Sequence, residues 1–316
     1  MRVEELGEAG LLARVIPLLP TEALLGPGDD AAVLAAPDGR VVATTDVLVE
    51  GRDFRRDWSS GADVGWKAAA QNLADVAAMG ATATGLLVSL GLPGDLPVAW
   101  VEDFAAGLAA ACRHFGTVVV GGDLSGASEI VVSVTALGDL AGRPPLLRSG
   151  ARAGDVVVLA GTEPGRSAGG LAALLAGGSG GALVEAHRRP APPLSLGPAA
   201  ARAGAHALMD VSDGLLRDAG RIAAASGVVL DLHLGAGPLR AAADHLAAEA
   251  GVEASTAEGW VLTGGEDHGL LGTFAAGADL PDGFRVIGSV RVGPGAVLVD
   301  GVRWSGSGVG WDHFGG

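Results

Sequence analysis

Residues 63–80 read DVGWKAAAQNLADVAAMG, and this stretch decides the fold. Ala, Leu, Val, Met and Trp66 fill most positions from Asp63 to Met79, which predicts a helix that Gly80 ends. Lys67, Gln71 and Asp75 recur every four residues, so they share one stripe, with Asn72 beside it. Such a stripe either faces water or borders an internal polar site. Apolar runs flank the helix: RVVATTDVLVE (40–50) before it and TGLLVSLGL (84–92) after it, both strand-like. Helix and strand in alternation predict a mixed domain.

Further outward, the spacing predicts helices over residues 4–16 and 97–115. AAVLAA (31–36) reads as a strand paired with 40–50 through a turn at Pro37, Asp38 and Gly39, while TVVVGGD (117–123) and EIVVSVTALGDL (129–140) add strands. GRPPLLRSGARAGD (142–155) loses periodicity and precedes a fresh strand, VVVLAG, so it marks a domain boundary. The second half alternates helices such as GRSAGGLAALLAG and GLLRDAGRIAAAS with strands such as HALMDVS and GVVLDLHL. Two domains follow, residues 1–148 and 149–316, the first mixed and the second α/β or α+β.

With 316 residues, 49% of them hydrophobic, the chain can bury two cores. Its net charge of −15, from 21 basic and 36 acidic residues, repels nucleic acid and anionic lipid and argues against either as a partner. Cys112 is the single cysteine, which excludes an intrachain disulfide and a thiolate metal cage, and its helical context AAACRHF reads as an inert buried thiol. The start, MRVEELGEAGLL, mixes acids into its apolar residues and does not read as a secretory signal. The uncharged run between Asp75 and Asp95 is broken by Gly80, Gly85, Gly91 and Pro93, so it reads as a helix-to-strand change and not as a membrane span. The expected location is the cytoplasm.

The acidic residues fall at element ends or beside glycine. Asp29 and Asp30 follow a Gly-Pro-Gly turn; Asp46 follows Thr44 and Thr45; Asp123 follows VVVGG; Asp210 and Asp213 close LMDVSD; Glu266 and Asp267 follow Gly264 and Gly265. Taken singly, each has an ordinary structural reading, and DVSDGLL reads as a helix cap by Ser212 or Asp213. Together they form a set of hard oxygen donors suited to magnesium or calcium and not to zinc or copper. The EF-hand pattern, the Walker lysine loop and the protein-kinase motifs are all absent from the sequence. Magnesium keeps waters and bridges carboxylates to phosphates, which points to phosphoryl transfer.

The ordered set GDDAAV, TTDVLVEG, KAAAQNLADVAAMGA, GGDLSG, RSGARAGD, DVSDGL, GGEDH and GWDHF resembles the thiamine-monophosphate kinase family over nearly the whole chain. That family is related to aminoimidazole ribonucleotide synthetase, selenophosphate synthetase and a hydrogenase maturation protein. The resemblance implies an α+β fold class, the two-domain ATP-binding fold of the synthetase, and a homodimer joined through the amino-terminal half. It implies magnesium ligands at Asp30, Thr44, Thr45, Asp46, Asp75, Asp123, Asp210 and Asp213, nucleotide contacts at Gly122, Asp123, Arg148 and Ser212, and substrate contacts at Asp53, Glu266 and Trp311. The implied reaction converts ATP and thiamine monophosphate to ADP and thiamine diphosphate, with several magnesium ions and no general base.

The related families are set apart by cysteine: there is no residue of that type near the start, and the chain ends HFGG. Three departures stand out from the resemblance. Arg52 and Asp53 occupy the place where histidine is common, GGDLSG replaces GGDTT, and His268 replaces a tyrosine. The last two are expected to alter shape more than charge. Two other readings stay open at the level of sequence: a relative acting on a different phosphorylated acceptor, and a non-catalytic protein whose acidic sites bind metal for stability.

Overall fold

The computed structural model describes residues 1–20, 34–306 and 308–311, apart from the side chains of residues 7–9. The chain divides into two compact units, Met1–Val76 with Thr82–Gly142, and Ala77–Ala81 with the chain from Arg143 onward.

The first unit contains α1 (Val3–Val15), β1 (Val42–Val49), α2 (Gly61–Ala78), β2 (Thr82–Leu92), α3 (Val98–Phe115), β3 (Val119–Gly126) and β4 (Val131–Asp139). Its four strands are ordered β1-β4-β2-β3, with β2 and β3 parallel and the other pairs antiparallel. The helix read from residues 63–79 is α2, and the apparent membrane segment is its change into β2. Among the described residues no helix is long and apolar enough to cross a membrane. Residues 34–36, the described part of AAVLAA, form no strand; the described partner of β1 is β4.

Glycines let α2 and α3 touch backbone to backbone. A Cβ on Gly65 would lie 2.2 Å from Phe104 O, and one on Gly107 would lie 2.0 Å from Ala62 O. At such distances any side chain forces the helices apart. Cys112 lies inside α3 at zero exposure, and burial pushes its thiol up to about 12. The polar stripe of α2 turns inward: Lys67 is 3% exposed and Asn72 0%.

The second unit contains β5 (Asp155–Ala160), α4 (Arg166–Leu175), α5 (Ala182–Arg188), α6 (Leu196–Arg202), β6 (Ala207–Asp210), α7 (Leu215–Ser226), β7 (Val228–Leu232), α8 (Pro238–Ala250), α9 (Ala254–Thr263), β8 (Leu270–Ala275), β9 (Phe284–Val292) and β10 (Ala296–Val299). The sheet order is β10-β7-β9-β5-β8-β6. Alternation along β5 feeds two cores. Val157 and Leu159 join Leu215, Ile222, Leu246 and Val261 from α7, α8 and α9, whereas Val158 and Ala160 join Ala200, Leu208, Phe274 and Phe284. Both faces of the sheet are therefore covered. Because β6 and β8 are antiparallel, with Asp210 opposite Leu270, the loops after Asp210 and before Leu270 leave the sheet at the same end.

Candidate active site

In the first unit, β1 turns Thr44 and Asp46 toward α2. Thr44 Oγ1 donates to Asp75 Oδ2 at 2.7 Å, and the Asp46 N–H donates to Asn72 Oδ1 at 3.0 Å. Asn72 Nδ2 in turn donates to Ala68 O at 2.9 Å, which fixes the amide's orientation. The inward stripe thus holds two expected ligands, Asp46 and Asp75, against one strand.

Thr45 points the other way. Its hydroxyl donates to Val134 O at 3.0 Å and accepts from Thr135 Oγ1 at 3.1 Å. Asp123 does not end its strand, as the sequence suggested; β3 runs on to Gly126, and Asp123 is exposed within it. Register runs from Asp123 through Ser89 and Ser133 to Val47, so Asp123 shares the uncovered face. β1 and β3 are the outer strands among the described residues, three strand spacings or about 14 Å apart. Within one chain, Asp46 and Asp123 cannot hold one ion. Gly122 has a structural reason of its own, since a Cβ there would lie 1.9 Å from Val88 O.

Asp53 closes a turn after β1: its Oδ2 accepts the Val49 N–H at 2.8 Å, and its own N–H donates to Val49 O at 3.0 Å. Asp30, and the DHF of the terminal motif, lie outside the described residues.

In the second unit, the two loops at the end of β6 and β8 are laced together. The Glu266 N–H donates to Ser212 O at 2.8 Å, the His268 N–H to Val211 O at 3.0 Å, and the Trp311 N–H to Asp213 O at 2.8 Å. Gly265 permits the approach, for a Cβ there would lie 2.5 Å from Ser212 O. Asp210, Ser212, Asp213, Glu266 and Trp311 are thus brought together. Arg148 is not: its carbonyl accepts from Ser226 Oγ at 2.8 Å at the far end of α7.

The cap expected of Ser212 or Asp213 is absent. Instead Asp218 Oδ2 accepts the N–H groups of Asp213 and Gly214 at 3.0 and 3.2 Å. Asp218 has no exposure, and burial pushes its carboxyl up to about 7 against the pull of Arg221 at 2.5 Å. Arg221 also pairs with Asp213, so that carboxylate already has a cationic partner.

His268 does more than change shape. Its Nδ1 lies 3.1 Å from Asp210 Oδ2, both residues buried, so a titratable ring backs an expected ligand. Sequence reasoning also passed over His187 and Ser167, which look like ordinary helix residues but adjoin Glu266 and Asp267.

Among the described residues no three acidic, histidine or cysteine groups converge to hold a metal ion. Carboxylate oxygens on β1 and α2, those of Asp46 and Asp75, are donors that fit magnesium, which completes its shell with water and phosphate oxygens.

Residues 28–140 match the family described as AIR synthase related protein, N-terminal domain, and residues 152–299 match its C-terminal domain. The chain is 48% identical to the thiamine-monophosphate kinase of Mycobacterium tuberculosis, covering 99% of this chain and 93% of that protein. It is 36% identical to the thiamine-monophosphate kinase of Aquifex aeolicus, covering 99% and 100%. A solved structure described as AaThiL complexed with AMPPCP and TMP superposes with a TM-score of 0.79 at 36% identity, covering 99% of each chain. On identity across nearly its full length, the chain belongs to the thiamine-monophosphate kinase family.

Proposed function

We propose that this enzyme transfers the terminal phosphoryl group of ATP to the phosphate of thiamine monophosphate, giving thiamine diphosphate. The observation that carries this is 48% identity, over 99% of the chain, to a kinase of that name. The test is ADP release with thiamine monophosphate set against thiamine and a panel of sugar phosphates. Release only with another phosphorylated acceptor would assign the chain to a different reaction.

The acceptor oxygen belongs to an ionised phosphate, so no side chain has to remove a proton. Catalysis then consists of alignment and charge neutralisation. Bringing ATP beside a second phosphate gathers roughly six negative charges, counting about two for a monoester. Magnesium, when bound, supplies the neutralising charge between the two phosphates. Asp30, Thr44, Thr45, Asp46, Asp75, Asp123, Asp210 and Asp213 are its proposed ligands. Thr44 and Asn72 hold Asp75 and Asp46 in place for that task. Gly122, Asp123, Arg148 and Ser212 are proposed to contact the nucleotide, Arg148 adding fixed positive charge.

Glu266 and Trp311 are proposed to bind the thiamine moiety. A carboxylate attracts the cationic thiazolium and accepts from the aminopyrimidine, and Trp311, 57% exposed, offers an indole face to the same cation. Asp53 is proposed beside the acceptor phosphate, where its charge weakens binding.

We further propose a homodimer formed through the open face of the first sheet. Val47 and Leu87 stand 48% and 37% exposed on it. Laying β1 of one copy over β3 of the other would bring Thr45, which shares the open face, to the partner's Asp123, and with it the strand that carries Asp46. The acidic surface argues against a nucleic-acid partner, and a cytoplasmic setting supplies ATP and suits the single thiol.

A further inference from the structure

Glu266 and His268 both adopt left-handed backbone, with φ of 63° and 51°, on either side of Asp267. Non-glycine residues hold that conformation only when their surroundings impose it. The backbone bonds to Ser212 and Val211 account for part of the constraint. The side chains supply the rest through a closed ring. Glu266 Oε2 lies 3.4 Å from His187 Nδ1, and the same nitrogen lies 3.0 Å from Ser167 Oγ. The Ser167 N–H donates to Asp267 Oδ1 at 2.9 Å, and the Gly165 N–H to Oδ2 at 2.6 Å. The peptide bond from Glu266 to Asp267 completes the circuit. His187, Ser167 and Asp267 are all buried.

We propose that His187 is a positioning residue for thiamine monophosphate, acting through Glu266. Nδ1 faces an anionic oxygen and a hydroxyl at once, so it carries the proton; a lone pair there would oppose the carboxylate. A buried N–H in a fixed ring selects one rotamer of a glutamate that is otherwise half-exposed. The carboxylate then meets the thiamine moiety already oriented, and substrate binding does not have to order it. His187 itself stays behind Glu266 and touches no substrate. This inference rests on the reading of Glu266 as a thiamine contact.

Steady-state kinetics on four variants test it. His187→Leu should raise KM for thiamine monophosphate about tenfold, while KM for ATP stays within about twofold. His187→Asn places an amide N–H close to the position of Nδ1 and should restore most of the affinity. Glu266→Ala should raise KM for thiamine monophosphate at least as much, and His187→Leu/Glu266→Ala should be no worse than Glu266→Ala alone. An unchanged KM in Glu266→Ala would overturn the reading of Glu266, and this inference with it. A raised KM in Glu266→Ala beside an unchanged one in His187→Leu would overturn this inference alone, as would full additivity in the double variant. Should His187→Leu fail to fold, Ser167→Ala carries the test. It frees the imidazole to rotate and must raise KM for thiamine monophosphate but not for ATP.

Discussion

Thr44 and Asp75, 31 residues apart in sequence, meet where β1 faces α2, the threonine hydroxyl donating to the aspartate at 2.7 Å. A hydrogen bond to a charged group contributes about 1.5–3 kcal/mol, and here it also selects the carboxylate's rotamer. Thr44→Val keeps the shape and removes the donor. The expected outcome is a fall in kcat of about tenfold, about 1.4 kcal/mol, with a raised magnesium requirement. Titrating turnover against magnesium checks it; an unaltered requirement would remove Asp75 from the metal site.

The separation of Asp46 and Asp123 across the first sheet gives a test of the proposed dimer. Asp46→Asn and Asp123→Asn should each lose nearly all turnover. If an active site takes one residue from each copy, mixing and re-equilibrating the two should restore about a quarter of wild-type activity, because half the dimers are mixed and carry one intact site. No recovery after verified subunit exchange would count against a shared site.

Asp53 spends one carboxylate oxygen on the Val49 N–H. Asp53→Asn keeps an acceptor for that turn and removes the charge. KM for thiamine monophosphate should fall severalfold and KM for ATP should not move. Equal Michaelis constants in the two proteins would place Asp53 away from the acceptor.

Gly65→Ala sets two effects against each other. Alanine gains about 1 kcal/mol of helix propensity over glycine. Its Cβ, however, would sit 2.2 Å from Phe104 O, and backbone cannot yield as a side chain can. The clash should win, with a net loss of about 3 kcal/mol or more by urea unfolding. Gly126→Ala, with nothing within 4 Å, should stay within about 0.5 kcal/mol.

Asp267 carries a stability signature in pH. Burial pushes its carboxyl up to about 6, partly offset by the N–H groups of Ser167 and Gly165. The folded protein therefore retains a proton between pH 4 and 6 that the unfolded chain has released. Stability falls as pH rises through that window, by up to about 3 kcal/mol for a shift of roughly two units from 3.8. Asp267→Asn is expected to be less stable at pH 4, having one acceptor for two N–H groups, and to lack this decline. Melting curves of both proteins from pH 4 to 7 should converge; parallel curves would show that Asp267 titrates normally.

What was legible in the sequence was mostly local. The α2 pattern, its stop at Gly80 and the strand after it depend on neighbours three or four residues away, and they appear in place. Non-local choices were hidden. A strand cannot announce its partner: the turn at Pro37, Asp38 and Gly39 predicts that β1 pairs with residues 31–36, whereas its described neighbour is β4. Glycine after VVV looked like a strand end, but Gly122 lies where only glycine fits against Val88, and β3 continues past Asp123. The cap fell to Asp218 because a buried carboxylate beside Arg221 outcompeted the nearer Ser212 and Asp213, a contest that spacing does not reveal. The second-unit loops were legible as motifs because their glycines and acids are contiguous. His187 was not, since 79 residues separate it from Glu266 and its neighbours, Arg188 and Arg189, look like a solvated helix end.

Cys112 makes the protein, for practical chemistry, a thiol-free scaffold. Its sulfur is enclosed in α3, and with the thiol pushed up to about 12 almost no thiolate exists at neutral pH. Maleimides and thiol-directed spin labels have no other cysteine in the chain to attack. A cysteine placed on the open sheet face, at Val47 for instance, would be a unique spectroscopic handle without first deleting a native one. Distances between two copies could then be measured directly in the wild-type background.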